Sequence, residues 1–226
     1  VDQDWRLGMQ VYSLILEVTR RCNMCCAHCL RGEAENIDMQ KETIDKVLDL
    51  VDKIEHVTFS GGEPSLNLPL IQYFFDRAEQ KGKFPGSFWL ATNGKENQEE
   101  LALLALKAWF KCSEKELCGV ALSVDAYHEL IPEKILTGLS FYDASKEHPI
   151  SNGSLDDFVL RMGRAEDNGL GQPPRDTDNE ISIEDNVVTT LYISAKGECV
   201  FNCDLPYSYI DEDGIPLEEV CASITK

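Results

Sequence analysis

Four cysteines within eight residues form the part of the sequence best suited to chemistry: Cys22-Asn23-Met24-Cys25-Cys26-Ala27-His28-Cys29. As two adjacent C-x2-C pairs they would offer four zinc ligands, but structural zinc usually takes two such pairs from separate knuckles. Read as C-x3-C-x2-C, the thiolates of Cys22, Cys26 and Cys29 can bind three irons of a cluster and leave one iron without a protein ligand. An open iron can bind a further molecule, and Cys25 is then a bystander.

A second motif, Gly61-Gly62-Glu63-Pro64, follows a β-branched and aromatic segment at residues 56–60. Two glycines let the backbone approach a ligand closely, and exposed carbonyls beside an acidic residue suit a cation. The motif is therefore a second candidate binding element.

Both motifs follow segments of strand length, and such segments alternate with helical patterns. Strands are predicted at residues 11–18, 56–60, 88–91 and 120–124, and helices at residues 39–54, 70–82 and 98–111. This alternation indicates βαβ units and a parallel sheet. Because ligands bind at the carboxyl ends of parallel strands, the cysteine loop, the glycine motif and Thr92-Asn93-Gly94 should converge on one face.

The C-terminal part of the sequence has a different pattern. We predict a fifth strand at residues 158–160, a linker rich in Gly, Pro and charge at 169–180, and a β-hairpin at 187–194 and 198–202. The predicted domains are residues 1–186 and a hairpin extension at 187–226. Four to six βα units are too few for a closed eight-stranded barrel. The predicted fold is therefore α/β, a partial (β/α)6-type barrel with parallel strands plus a small C-terminal β-hairpin.

The two motifs together resemble the signatures of the radical S-adenosylmethionine (SAM) superfamily, namely C-x3-C-x2-C after a first strand and GGEP after a second. The resemblance implies that Cys22, Cys26 and Cys29 bind a 4Fe-4S cluster whose open iron is chelated by SAM. It also implies that Gly61, Gly62, Glu63 and Pro64 bind the SAM ammonium group. The implied activity is reductive cleavage of SAM and abstraction of hydrogen from a substrate.

Weaker matches extend the resemblance along the chain. Thr92 and Asn93 resemble the end of the family's third strand, and Ser123 and Asp125 resemble the end of its fourth, where polar residues approach SAM. A helix-start turn explains the first pair equally well, and a capped strand end explains the second.

Three further residues are predicted to contact SAM. Gly163-Arg164-Ala165 resembles a segment of radical SAM enzymes that modify peptides, so Arg161 or Arg164 could pair with the SAM carboxylate. A surface ion pair is the alternative. His28 stands where the family usually has an aromatic residue that packs on the adenine, and its ring could stack or form a hydrogen bond.

The hairpin extension contains additional cysteines. Cys199, Cys203 and Cys221 resemble, at low specificity, the shortened extensions that hold an auxiliary iron-sulfur cluster in some radical SAM enzymes. Cys112, Cys118 or the substrate could complete such a site. The alternative is that these cysteines are buried small hydrophobic residues.

Composition restricts the partners. With 21 Lys and Arg against 40 Asp and Glu, the formal net charge is −19, which opposes binding to nucleic acid. An odd number of cysteines, nine, does not indicate a disulfide framework. No run approaches the roughly 18 apolar residues of a membrane span, and the first ten residues lack signal-peptide features. We therefore predict a cytoplasmic protein with no membrane partner.

The leading functional hypothesis is a radical SAM enzyme that acts on a peptide or a small molecule and receives an electron from a reducing donor. A small-metabolite radical SAM enzyme and a glycyl-radical activase are alternatives. A hypothesis from another class is a zinc-stabilised binding module whose acidic surface recruits a basic partner.

Overall fold

The computed structural model describes residues 9–123, 127–128, 159–173, 183–184, 187–202 and 204–224. Its strands are β1 (Met9–Thr19), β2 (Val51–Gly61), β3 (Ser87–Thr92), β4 (Gly119–Leu122), β5 (Ile183–Glu184), β6 (Val187–Ile193), β7 (Glu198–Val200) and β8 (Ile215–Pro216). Its helices are α1 (Lys41–Leu50), α2 (Leu68–Gln80), α3 (Gln98–Lys111), α4 (Arg164–Asp167), α5 (Tyr207–Asp213) and α6 (Leu217–Ile224). None of the helices found in these ranges is long and apolar enough to cross a membrane.

Within the described residues the strands form one sheet in the order β4-β3-β2-β1-β6-β7-β8, with β5 paired to β6. Strands β4, β3, β2, β1 and β6 pair with one another in parallel. Strands β5 and β7 pair with β6 in antiparallel orientation, and β8 pairs with β7 in the same way. The predicted α/β fold with parallel strands is therefore confirmed. The predicted C-terminal hairpin is also present, as β6 and β7.

The hairpin is part of the main sheet because β6 pairs with β1 from Gln10↔Val187 to Leu16↔Ile193. The domain boundary at residue 186 stays a prediction, since this pairing alone does not decide whether residues 187–226 form a unit of their own.

Strand β1 is buried on both faces from residue 14 to residue 19, whereas Gln10 and Tyr12 are exposed. Leu14 and Leu16 belong to the main hydrophobic core that includes α1, α2 and α3, whereas Ile15 packs in a second cluster with Tyr192 and Tyr207. Side chains alternate between the faces of a strand, so the second cluster lies on the opposite face from the main core. Helix α5 covers that face through Tyr207 and Ile210, whereas Leu217 and Val220 of α6 pack in the main core.

Two predicted elements differ in the structure. The helix predicted at residues 39–54 ends at Leu50, because Val51 and Ile54 pair with Met9 and Val11 in the sheet. In place of the fifth strand predicted at residues 158–160, Leu160 forms an isolated bridge to Gln172. Residue 158 and residues 174–180 of the predicted linker lie outside the described residues.

Candidate active site

Three of the four clustered cysteines line one cleft. The loop that carries them leaves the carboxyl end of β1, and Cys22, Cys26 and Cys29 are half-buried in the cleft wall. Cys25 is exposed and does not line the cleft. Its sulfur accepts a hydrogen bond from Arg164 Nη1. We call residues 19–29, which begin at the last residue of β1, the cysteine loop, and we call this cavity the cysteine cleft.

Most of the other predicted site residues line the same cleft. They are His28, residues 61–64, Thr92, Asn93, Ser123 and Arg164. Residue Asp125 lies outside the described residues. Arg161 is not brought to the cleft, because its guanidinium donates hydrogen bonds of 2.7 and 3.1 Å to the carbonyl of Gly171.

The glycines at residues 61 and 62 are required by contact with the cysteine loop. A Cβ at Gly61 would lie 2.0 Å from the carbonyl oxygen of Thr19, and one at Gly62 would lie 2.3 Å from that of Arg21. Gly61 also has φ +138°, which L side chains rarely adopt. The close approach predicted for a ligand is thus an approach to the protein's own backbone.

Residues 61–64, which we call the glycine loop, are joined to the end of β3 by Glu63. Its carboxylate is buried and accepts hydrogen bonds from Thr92 Oγ1 at 2.6 Å, from the Asn93 amide at 2.7 Å and from the Ser65 amide at 3.0 Å. A carboxylate offers about four acceptor positions. One position is therefore left for a ligand.

The loop after β3 contacts the cysteine loop through Asn93. Its side-chain nitrogen Nδ2 donates to Asn23 Oδ1 at 2.9 Å and lies 3.9 Å from the sulfur of Cys22. Ser123, at the end of β4, is tied to the same region because its amide donates to the carbonyl of Thr92 at 2.9 Å. The ends of three strands therefore converge on the cysteines, as the parallel sheet predicts.

Arg164 reaches the cleft because Gly163 turns the chain onto the cysteine loop. Gly163 has φ +56°, a Cβ there would lie 2.4 Å from the carbonyl of Leu30, and the Arg164 amide donates to the carbonyl of Cys29 at 2.9 Å. Burial lowers the pKa of Arg164, but its hydrogen bond to Cys29 and the negative charges of Cys29, Cys25 and Glu33 together raise it. The guanidinium therefore stays charged beside the thiols.

Without a bound cation, the surroundings of Cys22 favour its neutral thiol. Burial raises the pKa of the Cys22 thiol, and the negative charges of Glu63 and Cys29 add to the increase, against a lowering by a backbone hydrogen bond at Met24. A bound cation reverses this balance and deprotonates a ligand thiol. Proton release from this cysteine is thus coupled to metal binding.

The chemistry of the cleft fits an iron-sulfur cluster. Three thiols line one cavity that also contains a buried donor, Arg164 Nε, without a hydrogen-bond partner among the described residues. Across those same residues, no group of three His, Cys, Asp or Glu side chains is arranged to hold a single metal ion. The choice between an iron-sulfur cluster and zinc is therefore made by metal analysis.

One wall of the cleft was not predicted. Tyr207, the first residue of α5, lines the cleft and stacks on Arg20, whose Cζ lies 4.3 Å from the ring centroid. Arg20 is fully buried and pairs with Glu17 at 2.6 Å and Asp211 at 2.7 Å. We call Arg20, Glu17, Asp211 and Tyr207 the Arg20 cluster. The pairing of Arg20 with Asp211 spans 191 residues of sequence, so no local pattern could have predicted it.

The environment of His28 is aromatic. Its ring stacks on Tyr127 with centroids 4.7 Å apart and meets His128 edge to face at 5.0 Å. His128 lines the cleft as well, although it was not among the predicted site residues. A flat ligand ring could join this stack.

The cysteines proposed for an auxiliary cluster are only partly described. Cys199 is fully buried in the main hydrophobic core, Cys203 lies outside the described residues, and the side chain of Cys221 is not described either. Cys112 and Cys118 are buried near the amino end of β4, opposite the cleft. The auxiliary cluster stays a prediction.

Comparison with known proteins is consistent with these features. The profile of the Radical SAM superfamily matches residues 16–143, more than half of the chain. An uncharacterized protein of Methanocaldococcus jannaschii is 43% identical over 67 residues, which cover 28% of this chain and 23% of that protein.

Similar solved structures include anSMEcpe with bound AdoMet, at 21% identity and a TM-score of 0.40, over 51% of this chain and 32% of that chain. SuiB of Streptococcus suis bound to the precursor peptide SuiA is 11% identical with a TM-score of 0.43, over 87% of this chain and 60% of that chain. The chain therefore spans less than two thirds of each of these proteins.

Proposed function

Because the chain belongs to the radical SAM superfamily, we propose that Cys22, Cys26 and Cys29 hold a 4Fe-4S cluster and that the protein cleaves SAM reductively. The observation that carries this proposal is that these three cysteines line one cleft with the glycine loop, whereas Cys25 does not. Three thiolates leave one iron of such a cluster open to SAM.

When bound, the cluster supplies the electron that splits SAM into methionine and a 5′-deoxyadenosyl radical, which abstracts hydrogen from the substrate. The protein binds and orients SAM. The remaining acceptor position of Glu63 suits the SAM ammonium group, and the guanidinium of Arg164 suits its carboxylate. The stacked ring of His28 is available to the adenine.

The substrate in this proposal is a peptide or a small molecule. The resemblance of Gly163-Arg164-Ala165 to a segment of peptide-modifying radical SAM enzymes supports a peptide. In the structure the Arg164 amide donates to the carbonyl of Cys29, so this segment lies against the cysteine loop. A small-metabolite enzyme and a glycyl-radical activase are the alternatives. The formal charge of −19 argues against nucleic acid, and a reducing electron donor is required.

The test of the ligand assignment is anaerobic iron and zinc analysis of four variants, Cys22→Ala, Cys25→Ala, Cys26→Ala and Cys29→Ala, after reconstitution. We expect Cys25→Ala to keep its iron and the other three to lose most of theirs, because an exposed bystander is not a ligand. Cys25→Ala is the matched control, since it changes the same residue type in the same loop.

Equal loss of iron from Cys25→Ala and Cys26→Ala would contradict the assignment. Stoichiometric zinc in a colourless wild-type protein would favour the zinc-stabilised module instead. The reduced wild-type protein should also form 5′-deoxyadenosine from SAM without substrate, which chromatography of the reaction products can measure.

A further inference from the structure

Tyr207 is fixed in place by contacts on both sides of the cysteine loop. Its ring stacks on Arg20 at 4.3 Å, and its backbone amide donates to the carbonyl of Arg31 at 3.1 Å. The Arg31 guanidinium in turn donates to the carbonyl of Leu205 at 2.5 Å. Because Arg20 precedes the cysteines and Arg31 follows them, Tyr207 holds one position relative to the whole loop.

The Tyr207 hydroxyl is the one part of this side chain that these contacts leave unused. The side chain is 4% exposed, and among the described residues its hydroxyl has no hydrogen-bond partner. Buried hydroxyl groups in native proteins are rarely left unpaired, and an exception calls for an explanation such as an unseen ligand. Tyr207 lines the cysteine cleft together with Cys22, Cys26 and Cys29.

The surroundings make this hydroxyl a donor. Burial raises the pKa of Tyr207, and the negative charges of Glu17 and Cys29 raise it further, against a partial lowering by Arg31 and Arg20. The phenol therefore keeps its proton at neutral pH. Its expected partner is an acceptor, and the thiolates of the cleft are acceptors.

Other donors reach the cysteines from different directions. Asn93 Nδ2 lies 3.9 Å from the sulfur of Cys22, and Arg164 Nη1 donates to the sulfur of Cys25. Tyr207 comes from α5, on the side of the cleft covered by the C-terminal elements. Of the described residues 204–224, Tyr207 is the one that lines the cleft.

On the basis of the proposed function, we propose that the Tyr207 hydroxyl donates a hydrogen bond to a sulfur of the cluster and raises the reduction potential of the cluster. A donor stabilises the reduced state more than the oxidised state, because reduction adds negative charge to the sulfurs. Hydrogen bonds to sulfur are among the factors that set iron-sulfur potentials. Residues 204–224 would then contribute to the redox property of the site as well as to its shape.

The test is a redox titration of reconstituted Tyr207→Phe, monitored by electron paramagnetic resonance in the absence of SAM. Phenylalanine keeps the ring on Arg20 and removes only the hydroxyl. We expect wild-type iron content and a midpoint potential more negative than that of wild type. Tyr209→Phe is the matched control, since Tyr209 lies on the same helix with 52% exposure, and its potential should equal that of wild type.

Equal potentials in Tyr207→Phe and wild type would overturn the inference. Weaker SAM binding with an unchanged potential would overturn it too, and would assign the hydroxyl to SAM. Loss of iron from Tyr207→Phe would also contradict it, because the hydroxyl is not proposed as an iron ligand. A wild-type protein that binds no iron would instead refute the proposed function itself, so the two failures are distinguishable.

Discussion

The glycine loop and the Arg20 cluster form two walls of one cleft, but backbone contacts hold the first and side-chain ion pairs hold the second. The glycine loop lies against the cysteine loop through backbone hydrogen bonds of 2.8 Å, from the Gly62 amide to Thr19 and from the Glu63 amide to Arg21. The Arg20 cluster is held by charged side chains, of which Arg20 and Glu17 are fully buried and Asp211 is partly exposed.

The difference teaches where each wall is vulnerable. A Cβ at Gly61 or Gly62 would lie only 2.0 or 2.3 Å from a backbone carbonyl oxygen. Any side chain there should therefore disrupt the glycine loop sterically. The Arg20 cluster depends on matched charges around a guanidinium that is fully buried, so it should fail electrostatically. Three variants with controls test this contrast.

Arg20→Met should cause the largest loss of stability. Glu17 is fully buried, and removal of its ionic partner leaves an uncompensated buried charge, which typically costs about 3–5 kcal/mol. Denaturant unfolding of the anaerobic protein would measure the change in the free energy of unfolding.

The control for this variant is Arg21→Met at the adjacent position. Arg21 pairs with Asp38 at 2.9 Å, but the two side chains are 34% and 39% exposed. Pairs exposed to this extent contribute about 1 kcal/mol or less. Similar losses for the two variants would mean that the burial of Arg20 does not matter as we infer.

Gly61→Ala should have the next largest effect. The new Cβ would lie 2.0 Å from the carbonyl oxygen of Thr19 at a backbone φ of +138°, and overpacking with backbone strain typically costs about 3 kcal/mol in all. We also expect loss of iron, because the cysteine loop must move. Unfolding and iron analysis would measure both effects.

Gly82→Ala separates backbone strain from steric contact. Gly82 has φ +68°, but nothing lies within 4 Å of a Cβ there, so the expected cost is about 1 kcal/mol. If Gly82→Ala destabilised the protein as much as Gly61→Ala, contact with the cysteine loop would not explain why residue 61 must be glycine.

Local patterns were sufficient to predict the glycine loop and most elements near it. The helix expected at residues 98–111 is α3 (Gln98–Lys111), because its periodicity, length and flanking turns agree. The start of β2 could not be predicted in this way, since Val51 and Ile54 fit the apolar face of a helix as well as a strand. Pairing with β1 decides between these alternatives.

The Arg20 cluster shows what local patterns cannot predict. Arg20 was not among the predicted site residues, yet it lies fully buried among carboxylates at the start of the cysteine loop. Asp211 is one of 40 acidic residues in the sequence, and no motif distinguishes it. Their contact depends on the parallel pairing of β6 with β1, which brings the C-terminal elements beside the cysteine loop.

The smallest effect is expected from Asp211→Asn, and it should depend on pH. Partial burial raises the pKa of Asp211, but hydrogen bonds and charge from Arg20 and Lys196 outweigh this and hold the pKa below its ordinary value. The folded protein therefore binds this proton less readily than the unfolded chain does. The stabilisation is present above the unfolded pKa of about 3.9 and is lost as the pH falls through the lower folded value.

Because the Asp211 side chain is 29% exposed, water screens its interaction with Arg20. We expect the free energy of unfolding of wild type to exceed that of Asp211→Asn by about 1 kcal/mol at neutral pH. The difference should shrink as the pH falls below about 4. Asp213→Asn, on the same helix and exposed, is the control and should follow wild type. Denaturant unfolding across a pH series would measure all three proteins. A difference that persisted at low pH would mean that Asp211 acts through shape, which would weaken the contrast between a sterically held wall and an electrostatically held one.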